Sequence, residues 1–136
     1  MFNPHRSLSV ALLMILAAAS GCQTDHRPVY VAPALAADQM VTINTTKGVF
    51  IDGIDGAQVK SSGIVFMGIV GGHTVTLAPG KHAINAELST SNFHSYKSFV
   101  YTFDPGVTYE VAPNSVWAPR TVEIKNLKTG DAVEVQ

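Results

Sequence analysis

The sequence predicts a small all-β domain, a sandwich or small barrel of seven to nine short strands. Three observations predict it. From residue 39 onward, apolar and polar residues alternate over short runs, the two-residue period of half-buried strands. Turn dipeptides separate those runs: Asp-Gly at 52–53 and 55–56, Pro-Gly at 79–80 and 105–106, and Thr-Gly at 129–130. Glycine in such pairs takes positive φ without steric cost, and Asp bonds its neighbouring backbone. Beyond residue 38 no stretch carries the apolar period of a long amphipathic helix.

The elements follow in chain order. Met1 to Ser7 is short and polar, with Arg6 as its fixed positive charge, and Leu8 to Ala19 is apolar except for Ser9. Ser20 and Gly21 are small. Charged, apolar and small segments in that order make a secretory signal helix. Its apolar run is about a dozen residues, short of the roughly 20 that cross a bilayer. Cys22 is the only cysteine, so no internal disulfide staples the fold. Gln23 to Asp38 contains Pro28 and Pro33 and no apolar periodicity, so it reads as a flexible tether with a helical turn at Ala34 to Ala37. Fully extended, such a tether reaches about 50 Å. The chain therefore divides into a signal (1–21), Cys22 with its tether (22–38) and one β-domain (39–136). A mature chain of about 115 residues supports one modest core.

Val41, Ile43 and Thr45 form the buried face of the first strand. Lys47-Gly48 turns the chain into Val49-Phe50-Ile51. Asp52 and Asp55 sit three residues apart, the wrong spacing for an EF-hand, so turn chemistry is expected there rather than a metal. Ile64 to Val70, interrupted by Gly68, reads as a buried strand, with a short helix as the alternative that periodicity leaves open. Val75 and Leu77 share a face with His73. Pro79-Gly80 then fits a type II turn, so Thr74 to Leu88 reads as a hairpin whose second strand buries His82, Ile84, Ala86 and Leu88. Ser89 to Ser95 is polar and reads as a loop. Phe99, Tyr101 and Phe103 line one face as an aromatic wall, and Phe99 to Val111 reads as a second hairpin through Pro105-Gly106. Pro113 and Pro119 argue against a regular central strand over 112–119. Val122 with Ile124, a turn at Lys128 to Asp131, and Val133 with Val135 complete the chain.

Ten acidic and nine basic residues give a net charge of −1, with no basic patch for a nucleic-acid partner. His26, His73, His82 and His94 are the histidines outside the signal; His73 and His82 flank one expected hairpin and His94 follows in the next loop, but no cysteine ligand is left and no metal site is predicted. Ser95, His82 and Asp104 complete a hydrolase triad on paper, but nothing supplies a strained nucleophile elbow or an oxyanion hole. No catalytic residue and no metal or other cofactor is predicted, and the protein is expected not to be an enzyme. The aromatic residues Tyr96, Phe99, Tyr101 and Trp117 are the candidate binding residues, since such side chains anchor interfaces.

Two resemblances sharpen this. Ala19-Ser20-Gly21-Cys22 resembles the lipobox of bacterial lipoproteins, with Ala19 where Leu is usual. The resemblance implies cleavage between Gly21 and Cys22, a diacylglycerol on the Cys22 sulfur and often a third chain such as palmitate on the new amino group. Two or three chains anchor a protein stably, at about 0.8 kcal/mol per buried methylene. Gln23 rather than Asp after the cysteine implies, in a Gram-negative cell, the outer membrane, facing the periplasm. Ile54-Asp55-Gly56, Val75 to Leu77, Pro79 to His82 with Ile84, and Phe103 to Tyr109 resemble PEGA-type and other envelope-lipoprotein domains. That resemblance implies an antiparallel sandwich of immunoglobulin- or transthyretin-like form. Its expected work is to bind another envelope component, protein or glycan, through an exposed edge. The alternative is a small-ligand carrier with a cavity beside Phe99, Tyr101 and Phe103.

Overall fold

The computed structural model describes residues 26–60, 65–66, 69–70, 72–115 and 121–133. Gly21, Cys22 and Trp117 lie outside the described residues. The strands are β1 (Val41–Thr45), β2 (Val49–Ile54), β3 (Ala57–Gln58), β4 (Val65–Phe66), β5 (Ile69–Val70), β6 (Thr74–Leu77), β7 (Gly80–Thr90), β8 (Phe93–Phe103), β9 (Thr108–Pro113), β10 (Val122–Asn126) and β11 (Ala132–Val133). Nine of them build two sheets, a five-stranded one in the order β11-β10-β9-β1-β6 and a four-stranded one in the order β3-β2-β7-β8. β4 and β5 pair only with each other. The fold is a small all-β sandwich, and no helix occurs among the described residues.

The two-residue period produces the core. On β1, Val41 and Ile43 are fully buried while Thr42 and Asn44 are half-buried. The inward residues of both sheets, including Ile51, Leu77, Ile84, Leu88, Phe103, Tyr109, Val111 and Ile124, form one cluster. Full burial of such a side chain contributes about 1.5–3 kcal/mol, which is how a domain without an internal disulfide holds together.

Several connections differ from the sequence expectations. Pro79-Gly80 does not close a hairpin: β6 belongs to the five-stranded sheet and β7 to the four-stranded one, so the turn carries the chain across the sandwich. Asp104-Pro105-Gly106 does the same between β8 and β9. Gly106 has φ 69°, and a Cβ there would lie 2.7 Å from the Asp38 carbonyl oxygen, so the crossing is tight. Alternation fixes which face of a strand is buried, but strands of either sheet bury the same face against the shared core. Among the described strands the hairpins are β2–β3 through Asp55-Gly56, β4–β5, β7–β8 through Ser91-Asn92, and β10–β11. The first is a type I′ turn, with φ 52° at Asp55 and 80° at Gly56.

The expected loop at Ser89 to Ser95 is instead the distal part of β7 and β8, paired without interruption from Gly80↔Phe103 to Thr90↔Phe93. The expected single strand at Ile64 to Val70 is two short strands, Val65↔Val70 and Phe66↔Ile69. β9 runs on to Pro113, opposite Val122. Proline is tolerated there because β1, the neighbour on the other side, ends its pairing at Val111. The β1–β9 pair is parallel, the one departure from antiparallel pairing among the described strands.

Ordered contacts begin within the segment read as a tether. The Tyr30 N–H donates to the Gln58 carbonyl (2.7 Å), and the Gln58 N–H donates to the Pro28 carbonyl (2.7 Å). Arg27 pairs with Asp52 at 3.1 Å, and the Tyr30 hydroxyl donates to the Thr76 carbonyl at 2.9 Å. Residues 27–30 thus strap β3 of one sheet to β6 of the other. The helical turn falls slightly later than expected, with the Gln39 and Met40 amides both donating to the Ala36 carbonyl.

Candidate functional site

A sandwich with two open sheets has four edges, and an unpaired edge is an invitation to another strand. β3 is two residues long and is covered by the strap at Val29–Tyr30. β6 is four residues long and receives the Tyr30 hydroxyl. β11 is two residues long. The fourth edge, β8, is eleven residues long, and among the described residues no strand pairs with its outer side.

The register defines what β8 offers. The two-residue turn makes Thr90↔Phe93 a hydrogen-bonded pair, and such pairs alternate along an antiparallel ladder. The backbone N–H and C=O groups of Phe93, Ser95, Lys97, Phe99, Tyr101 and Phe103 therefore turn inward to β7. Those of His94, Tyr96, Ser98, Val100 and Thr102 turn outward. Ala83, opposite Val100, fits this alternation: its carbonyl accepts from the Asp55 N–H and its own N–H donates to the Asp55 carboxylate, both on the β2 side.

Side-chain parity separates the predicted binding residues. Phe99 and Phe103 face inward and are buried, with Tyr101 packed against the same core. Tyr101 and Phe103 meet edge to face at 4.9 Å, as do Phe103 and Tyr109 at 5.0 Å. The Tyr109 hydroxyl accepts the Asp104 N–H at 3.1 Å. Burial pushes the Tyr109 phenol above its ordinary range. These rings pack against one another in the core. Tyr96 has the opposite parity and is 72% exposed, with Val100 40% and Phe93 39% exposed on the same strand. Ser98 donates to Asn85 at 2.7 Å across the outer face, and His94 lies 3.2 Å from Glu87.

The histidines do separate structural work. His82 Nδ1 meets the Asp55 carboxylate at 2.6 Å and Nε2 meets the Ala78 carbonyl at 2.8 Å. Both ring nitrogens of His82 are thus engaged, one by a carboxylate and one by a backbone carbonyl. Desolvation opposes ionisation of Asp55, but the Ala83 N–H and His82 outweigh it and hold the carboxyl below its ordinary range. The acid beside His82 is thus Asp55, not Asp104. Ser95 stands opposite Leu88, six residues along β7 from His82, a separation of about 20 Å. The structure does not bring the paper triad together.

His73 clasps the two sheets. Its own N–H donates to Thr45 Oγ1 at 2.8 Å, and its ring Nδ1 lies 3.2 Å from the same oxygen on β1. Its Nε2 accepts the Ile51 N–H of β2 at 3.4 Å, while its ring lies against Phe50 at 4.9 Å. The Ile51 donor needs a lone pair on Nε2, which assigns the neutral tautomer protonated at Nδ1. Burial pushes the His73 pKa below its ordinary value. Neither His73 nor His82 has a ring nitrogen left for a metal, and the described residues contain no group of three His, Cys, Asp or Glu side chains positioned to hold one.

Sequence reasoning named Tyr96 but missed the strap and the clasp. Arg27, Tyr30 and His73 carry no local signal, because their partners lie 25, 46 and 28 residues away.

The fold and this site define a small β-sandwich domain with one long edge that no described strand pairs. No protein-family model, curated protein or solved structure matches the chain.

Proposed function

We propose that the chain is a non-enzymatic, lipid-anchored envelope protein whose β8 edge binds a strand of another envelope protein. The single observation that carries this is the outward row of backbone donors and acceptors on β8, flanked by exposed Tyr96 and Val100. Such a row gives affinity through main-chain hydrogen bonds and selectivity through alternate side chains, the physics of strand addition. That chemistry fits a polypeptide better than a glycan. The N-terminal reading supplies the location: a positively charged start, an apolar run and small residues before Cys22 fit export, lipidation at Cys22 and an outer-membrane position facing the periplasm.

The strap holds Arg27 to Tyr30 beside β3, and β8 is the opposite edge of the same sheet, three strand spacings or about 14 Å away.

The test has two parts. Cys22→Ser should move the protein from the membrane to the soluble fraction and change its mobility on a gel. A photo-crosslinking amino acid at Tyr96, in cells carrying the lipidated chain, should give a discrete protein adduct that the same probe at Lys128 does not give. An adduct pattern identical at both positions would overturn the assignment of β8.

A further inference from the structure

We infer that a second copy of this chain is a partner of the β8 edge, paired antiparallel about a two-fold axis through Ser98. This rests on the reading of β8 as the working edge and names one occupant for it.

The argument is one of self-complementarity. The residues whose backbone groups point outward are His94, Tyr96, Ser98, Val100 and Thr102. A two-fold axis at Ser98 sets Ser98 against Ser98 of the second copy, Tyr96 against Val100, and His94 against Thr102. Every one of these is a hydrogen-bonded pair, because each member turns its N–H and C=O outward. The two large exposed apolar residues of the outer face, Tyr96 at 72% and Val100 at 40%, meet each other twice by symmetry. An aromatic ring opposite a β-branched side chain is a favoured cross-strand pair. Neighbouring registers lose this. An axis at 97 or 99 sets Tyr96 against Ser98 or Thr102. An axis at 96 or 100 sets Val100 against Asn92 or against itself.

Protected edges carry lysine, proline or a bulge. The one charged residue of the strand, Lys97, has the opposite side-chain parity and stands against Phe99 of the second copy in this register. The five outward residues include no Asp, Glu, Lys or Arg, the strand has no proline, and its pairing with β7 is regular throughout. Like charges do not face each other in this register. An edge contact of about ten residues falls at the low end of specific interfaces, below about 1,200 Å², so the dimer is transient in dilute solution. Confinement of both copies to one membrane surface raises their effective concentration and favours the pair.

Cysteine cross-linking reads the register directly. Hydrogen-bonded partners have Cα atoms about 5.5 Å apart, inside the disulfide range of about 4.4–6.8 Å. The full lipidated chain carrying Ser98→Cys, oxidised in membranes with copper phenanthroline, should run mostly at twice its mass on a non-reducing gel, while the wild type does not. Tyr96→Cys alone and Val100→Cys alone should not cross-link, since each would lie four residues, about 14 Å, from its own copy. Tyr96→Cys and Val100→Cys expressed together with different tags should cross-link to each other. Ser98→Asp added to that mixed pair should cut its yield at least tenfold, by placing two carboxylates face to face. The proposal is overturned if Ser98→Cys gives no dimer, or gives no more than Tyr96→Cys. A photo-crosslink from Tyr96 to a different protein, with no Ser98→Cys dimer, would overturn self-pairing and leave β8 as a docking edge. No adduct and no dimer would overturn both.

Discussion

Replacing His73 with Phe should destabilise the domain at neutral pH and should do so less as the pH falls. The substitution keeps an aromatic ring beside Phe50 but removes the acceptor for the Ile51 N–H and the ring bond to Thr45, which is 8% exposed. A buried donor left without a partner costs about 1–3 kcal/mol. The 3.4 Å Ile51 contact is long, which places the cost near about 1–2 kcal/mol, or about 4–16 °C in Tm for a domain of this size.

The pH dependence gives the prediction its edge. The folded-state pKa of His73 lies below its ordinary value of 6.5 because burial disfavours the charge. Below about pH 6.5 the unfolded chain therefore binds more protons than the folded one. The stability held by the neutral ring is fully present above that pH, declines as pH falls through the folded pKa, and then levels off. Protonation also places an N–H at Nε2 against the Ile51 N–H, two donors with no acceptor. Thermal melts of wild type and His73→Phe at pH 7.5 and pH 5 should show the Tm gap narrowing on acidification. The His73 ring-proton titration followed by NMR should have its midpoint below 6.5. An equal Tm gap at both pH values, or a midpoint at or above 6.5, would refute the clasp as drawn.

Three further outcomes are expected. Gly72→Ala should lower Tm, because its Cβ would overlap the Thr45 carbonyl oxygen and force backbone apart; overpacking of this kind costs about 1–3 kcal/mol, readable by urea unfolding. Asp55→Asn should destabilise the domain at neutral pH by weakening the bonds to Ala83 and His82. The Asp55 folded pKa is depressed below 3.8, so that contribution is present above about pH 3.8 and fades as pH falls through the folded value; the wild-type and Asp55→Asn melts should converge in acid. Phe103→Ala should cost about 3–5 kcal/mol, since Phe103 is 1% exposed and meets both Tyr101 and Tyr109; denaturant midpoints would show it.

The fold was legible where it depended on one strand at a time. Val41 and Ile43, then Ile84, Ala86 and Leu88, then Phe99 and Phe103 were read onto the buried face from alternation alone, and all are buried. The pairing of strands was not legible, because β6 and β7 bury the same parity whether they are neighbours in one sheet or face each other across the core. Pro79-Gly80 and Pro105-Gly106 mark a reversal of the chain and carry no information on which sheet follows. The distal β7–β8 ladder was missed for a different reason. Apart from Phe93, Ser89 to Ser95 is polar, because from Thr90 onward the hairpin tip extends past the apolar interior, leaving backbone pairing and the Ser91-Asn92 turn to hold it.

The candidate site is harder to read from sequence because an edge is a property of topology. His94-Ser95-Tyr96-Lys97-Ser98 has the composition of a loop, and only its place in the order β3-β2-β7-β8 turns its alternate backbone groups outward. Tyr96 was singled out as an interface residue together with Phe99 and Tyr101, yet β8 turns Tyr96 away from the other two. The aromatic run therefore has two uses: inward rings fix the strand to the core, and the outward Tyr96 stands on an edge that is rigid because of them. An edge held in register by eleven pairs with β7 is pre-organised, so a strand that docks on it orders mainly itself. That is the physical reason to look for the protein's work along β8 rather than among its histidines, whose ring nitrogens in the described core are already engaged.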